Sequence, residues 1–140
     1  MKEVIWGYDP SALLPTPKTI GSDITIVKQL FSALLFQKGV SGMILNIGEY
    51  RGTPTLKISA HIDERMILQK SLSAPLENEY YFEFSNIIYP KNKLEIFIEV
   101  QGGTVDFPTS SIGNGMGFIQ KDNRFVPTTH FPVGFVLVNA

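Results

Sequence analysis

The 140-residue chain contains no cysteine, which removes disulfides, thiolate nucleophiles and cysteine-based zinc sites together. A domain of this size can be stable without such staples, so the absence argues against a small disulfide-dense secreted module and leaves the compartment open. Histidine is nearly as scarce, with only His61 and His130 present. His61, with Asp63 and Glu64 just beyond it, reads as a solvated strand end, and His130 in Thr128-Thr129-His130-Phe131-Pro132 reads as a loop residue. No metal ligand set is therefore expected.

Charge is sparse and balanced. Charged residues make up 18% of the chain, and 12 basic against 13 acidic residues leave a formal charge of −1. Neither nucleic acid nor an anionic membrane surface is an expected partner. Long hydrophobic runs are missing too: Lys28, Gln29, Gln37 and Lys38 interrupt the apolar stretches well short of the roughly twenty residues that span a bilayer. The first ten residues, Met1 to Pro10, lack the apolar core of a signal peptide, so export by a classical signal is not expected.

The motifs of common catalytic sites are absent as well. There is no G-x-S-x-G elbow, no P-loop and no H-E-x-x-H. Glu83, Glu95 and Glu99 occupy outward strand positions that can share one sheet face, but nothing nearby forms a pocket for paired carboxylate chemistry. Gly113-Asn114-Gly115-Met116-Gly117 is glycine-rich yet precedes a strand, so it offers no helix N-terminus to a phosphate and reads as a tight turn or bulge. The expectation is a non-enzyme without cofactor or metal.

What is present is a core. Hydrophobic residues form 44% of the chain, and 140 residues suit one domain. Residues 1–23 carry the apolar patch Val4-Ile5-Trp6 and then Pro10, Pro15 and Pro17, which forbid a helix or a central strand. This segment reads as an N-terminal arm that either lays a strand on its own domain or docks on a neighbouring subunit. Residues 24–39 allow two readings. Ile26, Val27, Leu30, Phe31, Leu34 and Leu35 recur at helical spacing, whereas the β-branched run Ile24-Thr25-Ile26-Val27 favours a strand. From residue 42 onward period-2 alternation dominates: Leu56, Ile58, Ala60 and Ile62; Tyr80, Phe82 and Phe84; Leu94, Ile96, Ile98 and Val100. Shorter runs at 43–49, 65–72, 116–120 and 133–138, separated by turn residues, bring the total to eight or nine strands. The predicted fold is all-β: an antiparallel β-sandwich of jelly-roll type over 24–140, with an extended arm.

The order Gln29-Leu30-Phe31, Gly39-Val40-Ser41-Gly42-Met43-Ile44-Leu45, Leu56-Lys57-Ile58-Ser59-Ala60, Tyr80-Tyr81-Phe82-Glu83-Phe84 and Lys93-Leu94-Glu95-Ile96-Phe97-Ile98 resembles the jelly-roll domains of the galactose-binding-like and carbohydrate-binding-module type. The closing segments Gly115 to Phe125 and Gly134 to Val138 are similar to their last hairpin and final strand. The resemblance spans about three quarters of the chain and rests on core-pattern positions, so it implies fold more than ligand. It implies a domain that binds glycans or serves as an exposed structural or adhesive unit, as on phage virions and extracellular enzymes.

Two functions follow as expectations. The first is a non-catalytic structural or adhesive module of a larger assembly: a phage virion surface component such as a capsid decoration, fibre or tail protein. It would associate with copies of itself, as in a trimer, and with other virion proteins. The second is a monomeric carbohydrate-binding module, extracellular or exported without a classical signal. In both, the contact residues are the aromatics that alternation or loops expose: Trp6 in the arm, Tyr50 and Arg51 at a turn, and Tyr81 and Phe97 on the polar-facing register, grouped as one sheet face.

Overall fold

The computed structural model describes residues 3–138. These carry β1 (Glu3–Trp6), β2 (Lys18–Ile20), β3 (Ile26–Ser32), a single 3-10 turn (Ala33–Leu35), β4 (Val40–Asn46), β5 (Tyr50–Ile62), β6 (Arg65–Ser73), β7 (Glu79–Ile88), β8 (Lys93–Phe107), β9 (Met116–Lys121), β10 (Arg124–Thr128) and β11 (Val133–Leu137). The strands pair antiparallel in two sheets that form a sandwich. The smaller has the order β1-β11-β4-β7 and the larger β10-β9-β3-β8-β5-β6, with β2 on β8. The chain passes between layers at β1 to β2, β3 to β4, β4 to β5, β6 to β7, β7 to β8 and β10 to β11, and the sandwich is of jelly-roll type.

Alternation explains the layers. On β8, Leu94, Ile96, Ile98 and Val100 are at most 1% exposed. On β5, Leu56, Ile58 and Ala60 are fully buried, and the smaller sheet contributes Met43, Leu45, Val133 and Phe135 to the same core. The rings of Phe31, Phe36 and Phe135 meet edge-on with centroids 5.2 to 5.9 Å apart, the favoured geometry for aromatic pairs.

The structure has eleven strands among the described residues, against the eight or nine expected. Beyond the runs counted from residue 24 onward are β1, β2 and β10, of which β1 is the strand that the arm was expected to lay on its own domain. The first two span only four and three residues, too short to show a period. The third contains Pro127, which the outermost position of β10 in its sheet tolerates. Within the proline-rich segment, β1 pairs with β11 and β2 with the far end of β8, so the segment supplies strands to both sheets. Thr19 Oγ1 donates to Asp106 Oδ1 at 2.6 Å, and Asp106 in turn pairs with Arg51 at 3.2 Å.

Residues 24–39 are resolved in favour of the strand. Val27, Gln29 and Phe31 face inward on β3 at 1%, 1% and 0% exposure, while Leu34, which a helix would have turned to the core, stands 87% exposed in the 3-10 turn. Ser32 stops the strand by accepting the Leu34 N–H on its hydroxyl.

A polar residue at the centre of this apolar register needs partners, and Gln29 has them. Its Oε1 accepts the Phe131 N–H at 2.9 Å, which orients the amide. Its Nε2 then faces the carbonyls of Asn114 at 3.0 Å and Gly7 at 3.4 Å and Nδ1 of His130 at 3.2 Å. The space is filled to contact: a Cβ on Gly7 would lie 2.6 Å from the Gln29 side chain, and one on Gly113 or Gly117 would strike the backbone of Gly7 or Thr129. The glycine-rich stretch 113–117 is thus a close-packed turn leading into β9.

Two hairpins turn on residues with positive φ, Asp63 and Glu64 (52° and 70°) and Asp122 and Asn123 (51° and 64°), the I′ geometry of two-residue loops. Asp63 does more than turn. Its carboxylate accepts the N–H groups of Lys91, Asn92 and Lys93 at 2.8, 2.6 and 3.1 Å. Desolvation pushes its pKa up, and the three donors together outweigh that and hold it below the ordinary value.

Two predictions follow from these features. Glycine is the residue I′ turns favour at their second position, and a non-glycine side chain there costs on the order of 1 kcal/mol. Glu64→Gly and Asn123→Gly are each expected to stabilise the fold by about 0.5–1 kcal/mol, read from urea unfolding midpoints. The second concerns acid. Burial lowers the His130 pKa from 6.5, and protonated Nδ1 would oppose the Gln29 amide donor. The unfolded chain therefore takes up the proton more readily than the folded one. Stability is expected to be complete above about pH 6.5 and to decline as pH falls toward the depressed folded value. A His130→Asn variant with the same acid dependence as the wild type in that window would refute it.

Candidate functional site

The outer face of the larger sheet gathers side chains from six strands into one row. Register places Gln69 opposite Ser59, Ser59 opposite Phe97, Phe97 opposite Lys28, Lys28 opposite Phe118, and Phe118 opposite Pro127. With adjacent strands about 4.8 Å apart, the row is roughly 24 Å long. It crosses the strands at right angles.

Lys28 sits at the middle of this row among aromatic rings. Its Nζ lies 4.6 Å from the ring centroid of Phe125, 4.9 Å from Phe118 and 5.5 Å from Phe97, within the range of cation–π attraction. Glu95 completes its neutralisation at 3.3 Å and also reaches Lys93 at 3.6 Å. The Lys28 and Glu95 side chains are only 17% and 11% exposed. Phe97 is further fixed edge-on by Phe125 at 5.9 Å and by His61 at 5.1 Å, and His61 Nε2 meets Ser59 Oγ at 3.1 Å.

Beside Phe97 the face opens into a cleft of about 290 Å³. Ile26, Phe97 and Phe125 supply its apolar wall, and Lys57, Ser59, Gln69 and Glu99 its polar groups. An amide, a hydroxyl, an ammonium and a carboxylate thus border an aromatic surface. That combination offers stacking to a flat apolar face and hydrogen bonds to hydroxyls around its rim.

The five contact residues expected from sequence do not converge. Phe97 is at the centre of the outer face just described. Tyr81 is on β7 of the smaller sheet, opposite Ile44, with its ring across Gly42. It faces away from the other side of the sandwich, so grouping it with Phe97 as one sheet face is corrected by sheet membership. The same holds for Glu83, which lies on β7 while Glu95 and Glu99 lie on β8. Trp6 is on edge strand β1, edge-on to the buried Tyr8 at 5.4 Å. Tyr50 and Arg51 begin β5, where Arg51 pairs with Asp106.

Sequence reading missed Lys28, Phe118, Phe125, Ser59, Lys57 and Gln69. One signal was available. A two-residue turn at Asp122 and Asn123 makes pairing symmetric about it, which sets Gln120 opposite Phe125 and Phe118 opposite Pro127. Which strand lies beside that hairpin is a matter of topology and carries no local mark. Among the described residues, no group of three or more His, Asp or Glu side chains comes together to hold a metal ion.

No protein-family model matches this chain, and no curated protein matches it in sequence. Solved structures match it in fold. One holds the cysteine protease and lectin-like domains of Cwp84, a surface layer associated protein of Clostridium difficile, at a TM-score of 0.54 and 10% identity, covering 85% of this chain and 33% of that one. Another is the clostridial cysteine protease Cwp84 after propeptide cleavage, at the same TM-score and identity, covering 85% of this chain and 37% of that one. The chain therefore spans about a third of the proteins it matches, and at this identity the likeness establishes the β-sandwich fold alone.

Proposed function

We propose that this domain is a non-catalytic carbohydrate-binding or adhesive module that takes its glycan on the outer face of the larger sheet. The observation that carries the reading is the row through Ser59, Phe97, Lys28 and Phe118, with its cleft of about 290 Å³. A pyranose ring has an apolar C–H face and a rim of hydroxyls. Phe97 and Phe125 suit the first, and Lys57, Ser59, Gln69 and Glu99 suit the second. The fold likeness to structures that include a lectin-like domain supports the same class. Those structures also include a cysteine protease, and these 140 residues contain no cysteine to act as its nucleophile. A glycan-binding role places the domain at an exposed surface, extracellular or on a virion.

A second reading, assembly into a phage virion surface as a decoration, fibre or tail component, is favoured by one specific feature. Leu34, Tyr89 and Ile87 are 87%, 68% and 50% exposed, and both Tyr89 and Ile87 lie against Gly39. Exposed apolar groups of this kind suit contact with other copies of the chain or with other virion proteins. Trp6, Tyr50, Arg51 and Tyr81 would be subunit contacts in that setting. A stable monomer at high concentration in sedimentation equilibrium sinks this second reading and leaves the first intact.

The first is tested with a glycan array followed by calorimetry on the best ligand. Phe97→Ala and Phe125→Ala are each expected to weaken binding by about tenfold or more, which is ~1.4 kcal/mol. Tyr81→Ala, on the opposite face, is expected to bind as the wild type does. An array without a retained glycan, or full affinity in the Phe97→Ala and Phe125→Ala variants with their fold intact by circular dichroism, overturns it.

A further inference from the structure

A second cleft, of about 350 Å³, lies where the N-terminal segment crosses the end of the sandwich. Its lining includes Thr16, Lys18, Thr19, Thr109 and Thr129, so it is rich in hydroxyls and has one cation. Lys18 is unusual in its register. It pairs with Phe107 and stands two residues from Ile20, both fully buried, so it occupies the core-facing side of β2. Its Nζ donates to Thr128 Oγ1 at 3.1 Å, and among the described residues no carboxylate lies within ion-pair distance of it. Asp106, which touches this lining through Thr19, is already matched by Arg51.

The second observation is Thr129. Its Oγ1 is buried without a hydrogen-bond partner among the described residues, a condition folded proteins seldom leave uncompensated. Thr129 also lines the cleft, so the hydroxyl that lacks a protein partner belongs to a residue of its wall.

We infer that this cleft is a binding site for a carboxylate group, separate from the aromatic face. Lys18 supplies the single matching charge, and the hydroxyls of Thr129 and Thr16 donate to the remaining lone pairs of the carboxylate. The net charge of +1 in the lining selects a monoanion, since a phosphate dianion would leave an excess negative charge in a half-buried cleft. The volume falls within the usual range for small-molecule sites, about 300–1,000 Å³. It therefore has room for the body that carries the carboxylate, either a free organic acid or a uronic acid unit of an acidic glycan.

The test is a titration followed by amide chemical shifts, with acetate, glucuronate and glucose as probes. Acetate and glucuronate are expected to give saturable shifts at residues 14–19 and 128–130, and glucose none. Equal affinities for the two acids mean that the carboxylate alone is read, and tighter glucuronate binding identifies a sugar acid as the source. Lys18→Met is expected to weaken binding at least tenfold while leaving any glycan affinity at Phe97 unchanged. Thr129→Val removes the unpartnered hydroxyl without changing shape, so it is expected to weaken binding without lowering the thermal midpoint. Absence of saturable shifts with either acid overturns the proposal, as does wild-type affinity in Lys18→Met or Thr129→Val.

Discussion

The amide of Gln29 holds together segments that the chain keeps far apart. From the centre of β3 it bonds to the backbone at Gly7 just beyond β1, at Asn114 before β9 and at Phe131 before β11. The Phe131 N–H is buried, and a buried backbone donor left unpaired costs about 1–3 kcal/mol. The amide therefore ties the end of β1 to the starts of β9 and β11. The consequence reaches the outer face. Gln29 pairs with Gly117, and because side chains alternate, that register sets the neighbouring Lys28 opposite Phe118. A slip of one residue between β3 and β9 would turn Phe118 inward and dismantle the aromatic set around Lys28.

How much of this is legible in sequence depends on the range of the interaction. Strands β5, β7 and β8 show their core faces through alternation alone, since one face is apolar over three or four successive positions. The strand at Ile26–Ser32 is legible from its β-branched start, despite leucines and phenylalanines at helical spacing, because Leu34 and Leu35 belong to the turn that follows it. Gln29 itself looks like a break in an apolar run, and only a fold that brings Gly7, Asn114 and His130 to it makes it a core residue. Tyr81 and Phe97 are equivalent in sequence, each the polar-register aromatic of a long strand. Their separation onto opposite outer faces is decided by which sheet receives β7 and which receives β8, and that is a property of connections rather than of residues.

The aromatic face also shows how a protein keeps half-buried rings in order. Phe97, Phe118 and Phe125 would be free to change rotamer on an open sheet surface. Lys28 attracts all three, and Glu95, itself mostly buried, holds the ammonium in place. The ion pair is too desolvated for its attraction to count as pure gain in stability. Its effect on binding is different in kind. Rings already held in position give up little side-chain freedom when a ligand stacks on them, and that saving appears directly in affinity.

The same arrangement restricts what can bind. The faces of the aromatic rings attract cations, and a face with three of them invites an ammonium or guanidinium ligand. Here that place is filled by Lys28, whose charge repels a second cation brought to the same rings. Glu95 does not reverse this, because its two oxygens are shared between Lys28 and Lys93. What remains accessible is the Phe97 surface flanked by Ser59, Gln69, Lys57 and Glu99, where positive and negative groups are balanced. A neutral ring meets no electrostatic penalty there, whereas a cation brought over the rings meets Lys28. The ion pair that orders the rings therefore also disfavours a cationic ligand over them.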